Sequence, residues 1–290
     1  MDVQAETLVS VIIPTKDRAH WVVRAVASVL AQTHTALEVL VVDDGSGDAT
    51  LEALGRIGDA RLRVLTHERS RGVSAARNTG LAAAKGAYLA LLDSDDEWLP
   101  TKIERLLAFA RQGGYAICQN QEIWMRGGRR VNPGVAQQKL DGWFFKEALG
   151  RCLVSPSSVL FTREFVETVG TFDETLPACE DYDLWLRALV VYPVGLLDAW
   201  LTVRHGGRAD QLSVSFVGID LFRIRAMLKL LARSDLTNWH RDCIIQELER
   251  KTRLYVRGCL KNGQPEEAGR VRDMVTEAVA ADGPRRAVRA

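Results

Sequence analysis

Through the first hundred residues, short apolar runs alternate with segments whose apolar positions recur at helical spacing. Val9–Pro14 (VSVIIP), Leu37–Val42 (LEVLVV), Arg61–Leu65 and Ala87–Leu92 (AYLALL) read as strands, with Trp21–Gln32, Thr50–Ile57 and Val73–Lys85 as the helices between them. Strand–helix alternation with nearly continuous apolar strands predicts an α/β domain on a mostly parallel, Rossmann-like sheet with helices on both faces. Such sheets bind ligands beyond the carboxyl ends of their strands. The unusual residues of this chain gather there.

From about Tyr115 to Val203 the pattern is mixed, with short strands, a Gly/Arg turn at Gly127–Arg130 and a helix over Glu180–Val191. From about Phe216 onward every segment has helical period: Leu221–Arg233, Asn238–Leu260 and Pro265–Ala280. In the first of these, Arg225, Lys229 and Arg233 form one stripe opposite an apolar face. The expected organisation is an α/β domain over residues 1–215 and a helical region over 216–290. Within the domain, a first half covers about 1–112 and a second, mixed half about 113–215.

Composition refines this picture only at the edges. Hydrophobic residues at 47% and charged residues at 26% fit a soluble globular enzyme. The net charge of +1 conceals an asymmetry, because residues 221–290 carry 15 Lys and Arg against 9 Asp and Glu. Such an end suits anionic lipid, a dimer contact or a solvated helical surface. The five cysteines are widely spaced and form no CxxC pair, which argues against a zinc site or disulfide framework and for reduced thiols. The N-terminus lacks a signal pattern, and the apolar stretch Leu189–Val203 is broken by Pro193 and Asp198. The expected location is cytoplasmic, at most peripheral on the inner face of the membrane. A net acidic core without a reader motif argues against nucleic-acid binding.

Three acidic constellations carry candidate chemistry. Asp43-Asp44-Gly45-Ser46 follows the second strand, where a carboxylate can meet a base N–H or ribose hydroxyl, or simply form a capped turn. Asp93-Ser94-Asp95-Asp96 follows the fourth strand; three carboxylates in four residues repel one another unless a cation offsets them. Oxygen ligands at this spacing suit Mg2+ or Mn2+ shared with substrate phosphates, whereas capping the next helix would need only one acid. Glu180-Asp181-Tyr182-Asp183 opens a helix, where acids favour the dipole. Adjacent carboxylates also raise one another's proton affinity, which suits a general base. Trp124, Trp143, Phe144 and Phe145 read either as core or as stacking surfaces for an acceptor sugar.

Val9–Asp17 (VSVIIPTKD), Val41–Ser46 (VVDDGS), Gly72–Gly80 (GVSAARNTG), Leu91–Trp98 (LLDSDDEW) and Glu180–Arg187 (EDYDLWLR) together resemble the inverting family 2 glycosyltransferases of GT-A fold. The resemblance covers roughly residues 8–205 and implies that the first half, about 1–112, binds nucleotide and the second, about 113–215, acceptor. It implies that Pro14, Thr15, Asp17 and Arg18 line a nucleotide pocket, with Asp44 on the base and Arg77 nearby. Asp93, Ser94 and Asp95 match the family's DxD. Asp95 would lie closest to metal and ribose, and Asp96 and His205 are further candidates for the metal. Asp181 matches the catalytic base, with Glu180 as the fallback. The implied reaction moves one sugar from a nucleotide-sugar donor, UDP-linked by family habit, onto a hydroxyl of a glycan, glycolipid or other acceptor, assisted by Mn2+ or Mg2+. No QxxRW pattern of processive synthases is present. A nucleotidyltransferase would carry a glycine-rich loop after the first strand, where this chain has Thr15-Lys16-Asp17-Arg18. A non-catalytic sugar-binding scaffold would have little need of the acidic pairs.

Overall fold

The computed structural model describes residues 7–132, 134, 138–207 and 218–287. The expected boundary near residue 215, and the start of the helical region at Phe216, lie outside them.

The nucleotide-side half runs β1 (Val9–Thr15), α1 (Ala19–Leu30), β2 (Leu37–Asp43), α2 (Thr50–Gly55), β3 (Leu62–Thr66), α3 (Val73–Ala83) and β4 (Tyr88–Leu91). These seven elements match the expected ones within a few residues at each end. Next come β5 (Glu97–Trp98), α4 (Lys102–Gly113), β6 (Ile117–Arg126), β7 (Arg129–Val131), α5 (Phe145–Gly150), β8 (Val159–Thr162) and α6 (Arg163–Val169). The described chain finishes with α7 (Glu180–Val191), β9 (Gly195–Gly206), α8 (Asp220–Leu231), α9 (Asn238–Lys261) and α10 (Pro265–Ala287).

The strands form one sheet in the order β3-β2-β1-β4-β8-β6-β9-β5, with β7 hairpinned onto β6. Parallel pairing holds across β3-β2-β1-β4. Beyond β4 the pairing is mixed: β8 runs antiparallel to both β4 and β6, while β6 and β9 are parallel. Local apolar patterning does not distinguish these alternatives, so the mixed half was not readable as such.

Side-chain alternation along β1 sends Val9, Val11 and Ile13 to one face and Ile12 to the other. The first face packs against Val22, Val26 and Val29 of α1 and Ile103 and Leu106 of α4. The second packs against α3, α5 and α7, and its core continues into Ile224, Met227, Ile244, Leu248 and Val271 of the C-terminal helices. Those helices therefore bury their apolar faces on the acceptor-side core. Among the stripe residues, Lys229 pairs with Asp173 and Arg233 with Asp235.

Gly80 fixes how closely α3 approaches the sheet, since a Cβ there would lie 2.4 Å from Ile12 Cγ2. This close approach sets the height of Arg77, one turn earlier on the same helix.

Candidate active site

A cavity of about 750 Å³ opens beyond the carboxyl ends of β1, β2 and β4. Pro14, Thr15, Asp17, Arg18, Asp44, Arg77, Asp93, Ser94, Asp95 and Asp96 line its nucleotide side. Glu180 and Asp181 also line it, with Glu122, Trp124, Lys139, Cys152, Arg204 and Arg223. A second cavity of about 1280 Å³, between Gly218–Asp220 and the α9–α10 junction, contains none of the motif residues.

The loop after β1 is clipped to the loop after β2. Ser46 Oγ accepts from the Asp17 backbone N–H at 2.8 Å, and Asp17 Oδ1 accepts from Gly47 N–H at 2.7 Å. Asp17 itself adopts a left-handed backbone at φ 51°, a conformation non-glycine residues rarely take unless surrounding contacts impose it. Gly45 is required in the same turn: at φ +71°, its Cβ would meet the Arg69–Ser70 backbone at 3.0 Å.

Asp44 lines the cavity and is held by the loop that follows β3. Its carboxylate accepts from Ser70 Oγ, Arg71 N–H and Gly72 N–H at 2.7–2.9 Å and meets His67 Nδ1 at 2.7 Å. Burial alone would raise its pKa, but these donors together hold it below the usual carboxylate value. These contacts make Asp44 an organiser of the loop that leads into α3.

Arg77 also lines the cavity. It is 4% exposed; Nη1 donates to Glu180 Oε1 at 2.6 Å, Nη2 donates to Asp93 Oδ1 at 2.8 Å, and the guanidinium lies over the Phe172 ring. Burial works against its charge, but Asp93 and Glu180 raise its pKa above the ordinary value. The buried cation thus ties the acidic cluster after β4 to the first turn of α7. Glu180 is held in this ion pair, whereas Asp181 is not. Asp181, the next residue, is half-buried on the cavity wall, where Cys152 Sγ donates to its Oδ2 at 3.5 Å and Tyr182 N–H to its Oδ1 at 2.7 Å.

The acidic cluster divides by function. Asp93 and Asp95 face the cavity, and Arg18 Nη1 donates to Asp95 Oδ2 at 3.2 Å. Asp96 is buried, with Oδ2 accepting from Ser157 Oγ at 2.6 Å and Oδ1 from the His205 backbone N–H at 3.0 Å. Burial, and after it the neighbouring Asp95, push its carboxyl well above the usual range. Asp96 therefore fastens β9 to the end of β4 while lining the same cavity. The His205 ring meets Glu97 Oε1 at 2.7 Å.

The donor set suits a hard divalent cation, since Asp93 and Asp95 offer carboxylate oxygens on an open cavity wall. Among the described residues no three His, Cys, Asp or Glu side chains converge on one point, so such an ion would need substrate phosphates to complete its shell.

Several cavity residues carried no sequence signal. Parallel pairing of β6 with β9 sets Arg204 beside Trp124, with the guanidinium 5.1 Å from the ring centroid. Glu122 receives Lys139 at 3.5 Å and Arg204 at 3.9 Å. Of the aromatic candidates, Trp124 reaches the cavity, Phe144 and Phe145 belong to the core, and Trp143 is exposed.

The family model for glycosyl transferase family 2 matches residues 10–153. The chain is 33% identical over 189 residues to UDP-Glc:alpha-D-GlcNAc-diphosphoundecaprenol beta-1,3-glucosyltransferase WfgD of Escherichia coli, a match spanning 63% of this chain and 70% of that protein. It is 38% identical over 188 residues to WfaP of the same organism, which has the same descriptive name, with the same two shares covered. Succinoglycan biosynthesis protein ExoO of Rhizobium meliloti is 34% identical over 195 residues, but the match spans 62% of this chain and only 55% of ExoO. In fold the chain is similar to S. aureus TarS residues 1–349 in complex with UDP-GlcNAc: TM-score 0.75, 22% identity, 94% of this chain and 83% of that one. Motif order, sheet topology and these relatives agree that the chain belongs to the family 2 glycosyltransferases, with the GT-A fold and relatives in glycan biosynthesis.

Proposed function

We propose that this enzyme transfers a single sugar from a UDP-linked donor to a hydroxyl of a sugar carried on a lipid diphosphate, with inversion at the anomeric carbon. The carrying observation is that one cavity is lined by Asp93, Asp95 and Asp181 together. The names of WfgD and WfaP support a UDP-sugar donor and a diphosphate-linked acceptor, and the UDP-GlcNAc in the TarS complex supports the same donor class.

In this reading the nucleotide lies over the β1 and β2 loops, and its diphosphate faces Asp93 and Asp95. Those two carboxylates would hold Mn2+ or Mg2+, which when bound would offset the negative charge growing on the departing diphosphate. Asp181 accepts the proton of the acceptor hydroxyl as that oxygen bonds to the anomeric carbon. The bond to the diphosphate oxygen breaks on the opposite face, and its electron pair leaves with the nucleotide diphosphate. One displacement of this kind inverts the configuration. Cys152 and the Tyr182 N–H orient the Asp181 carboxylate toward the cavity.

Isothermal titration of UDP-, GDP- and dTDP-sugars, each with Mn2+ and with EDTA, tests the donor site. The expected result is binding of one UDP-sugar that EDTA abolishes. No binding of any donor would refute the reading, and preference for GDP or dTDP would correct the nucleotide.

A further inference from the structure

The matched family segment ends at residue 153, yet the cavity is completed by a residue well beyond it. Arg223, on the first turn of α8, lines the cavity and packs over the Tyr182 ring at 5.9 Å. It lies against the start of α7, where its charge also acts on Cys179, immediately before the Glu180–Asp181 pair. Arg204 is influenced by Asp93 and Asp96 as well as by Asp181. Arg223 belongs to the side of the base.

Among the described residues, the ion pairs on the α8–α9 side of Arg223 hold more cations than carboxylates. Asp220 receives Arg223 Nη1 at 3.1 Å and Lys251 Nζ at 3.1 Å, and Lys251 also reaches Glu247 at 3.5 Å, which pairs with Arg250. Three cations share two carboxylates. On the same cavity lining, Lys139 and Arg204 both pair with Glu122. Within Arg223, Nη1 donates to Asp220, the Cys179 thiol lies within hydrogen-bonding reach of the guanidinium, and among the described residues the buried Nε has no hydrogen-bond acceptor. A cationic fork with spare donors, beside a carboxylate that must approach an acceptor hydroxyl, calls for an anion on the acceptor molecule.

We propose that Arg223 binds the phosphate or diphosphate group of the acceptor and so selects phosphate-linked sugars over neutral glycosides. This rests on the donor–base arrangement of the proposed function. It assigns α8 a part in substrate choice, where packing alone would have explained the helix. The same chemistry exists on the donor diphosphate, and the experiment separates the two.

Steady-state transfer from the UDP-sugar is measured to two acceptors carrying the same sugar, one linked through diphosphate to a short alkyl chain and the other a neutral alkyl glycoside. Wild-type enzyme should favour the diphosphate acceptor in kcat/KM. Arg223→Gln should reduce that preference about 10–100-fold, the range for one lost charge-assisted interaction, through acceptor KM and with little change in donor KM. Arg223→Lys, which keeps charge without the planar fork, should retain part of the preference. Thermal unfolding and donor titration of each variant show whether it has folded.

Equal loss on both acceptors would make Arg223 structural and overturn the proposal. A rise confined to donor KM would give the residue to the donor, with the same consequence. Wild-type enzyme that uses both acceptors equally overturns the subsite alone. If it uses neither, the functional reading falls and takes the subsite with it.

Discussion

Replacing Arg77 by glutamine removes one buried cation from between two carboxylates, Glu180 and Asp93. Arg77 and Glu180 have side chains only 4% and 8% exposed, while Asp93 is 30% exposed. Solvent can relieve Asp93 but not Glu180, so the cost falls mainly on Glu180. Removing one partner of a buried pair costs about 3–5 kcal/mol, because the remaining charge is left uncompensated. Burial, chiefly, and then the adjacent Asp181 already hold the Glu180 carboxyl above the usual range, against the downward pull of Arg77. A folded-state pKa above the unfolded one means the folded protein binds that proton more tightly, so its contribution is present at low pH and lost as pH rises through the folded pKa. In Arg77→Gln the opposing pull is gone, and the recovery on acidification should grow. Urea unfolding of wild type, Arg77→Gln, Glu180→Gln and the double variant is the assay, followed by circular dichroism near neutral pH and about two units below it. The single Arg77 variant should lose about 3–5 kcal/mol near neutrality and clearly less in acid. The double variant should lose less than the sum of the singles, by about 1–3 kcal/mol of coupling. A loss below about 1 kcal/mol, or one independent of pH, would refute the claim that Arg77 offsets a buried Glu180 charge.

Asp181→Asn should lower kcat by about 10²–10⁴-fold while donor titration stays near wild type, since the base faces the acceptor; retained turnover would remove Asp181 from the reaction. Asp95→Ala should abolish the difference between Mn2+ and EDTA in donor binding, and persistence of that difference would place the cation elsewhere. Gly80→Ala forces a methyl group against Ile12 at 2.4 Å. Thermal unfolding should register about 1–3 kcal/mol of overpacking, and an unchanged Tm would mean that α3 is free to shift away from β1.

How much of this was legible in the sequence depends on how local each feature is. The strands β1 to β4, the helices between them and α7 follow from periodicity within ten or so residues, because burial of one face imprints itself on neighbouring positions. The motif residues Pro14, Thr15, Asp17, Arg18, Asp93 and Asp95 were identifiable for a related reason. They stand at strand ends, and parallel strands end on one side of the sheet, so residues distant in sequence share one rim there.

What the sequence determined by itself was therefore the α/β class, the nucleotide-side elements and which acids lie near the cavity. Tertiary structure decided what each acid does. Asp96 reads like Asp95 in sequence, yet Ser157 and the backbone of His205 occupy its two oxygens. Glu180 reads like Asp181, yet Arg77, more than a hundred residues earlier, claims it. Asp44 is occupied by His67, Ser70, Arg71 and Gly72. Arg223 enters the cavity only because α8 folds back over α7. A carboxylate's role is set by which donors, cations or solvent meet its oxygens within about 3 Å. The sheet order brings those partners in from distant parts of the chain, and local periodicity carries no record of that order.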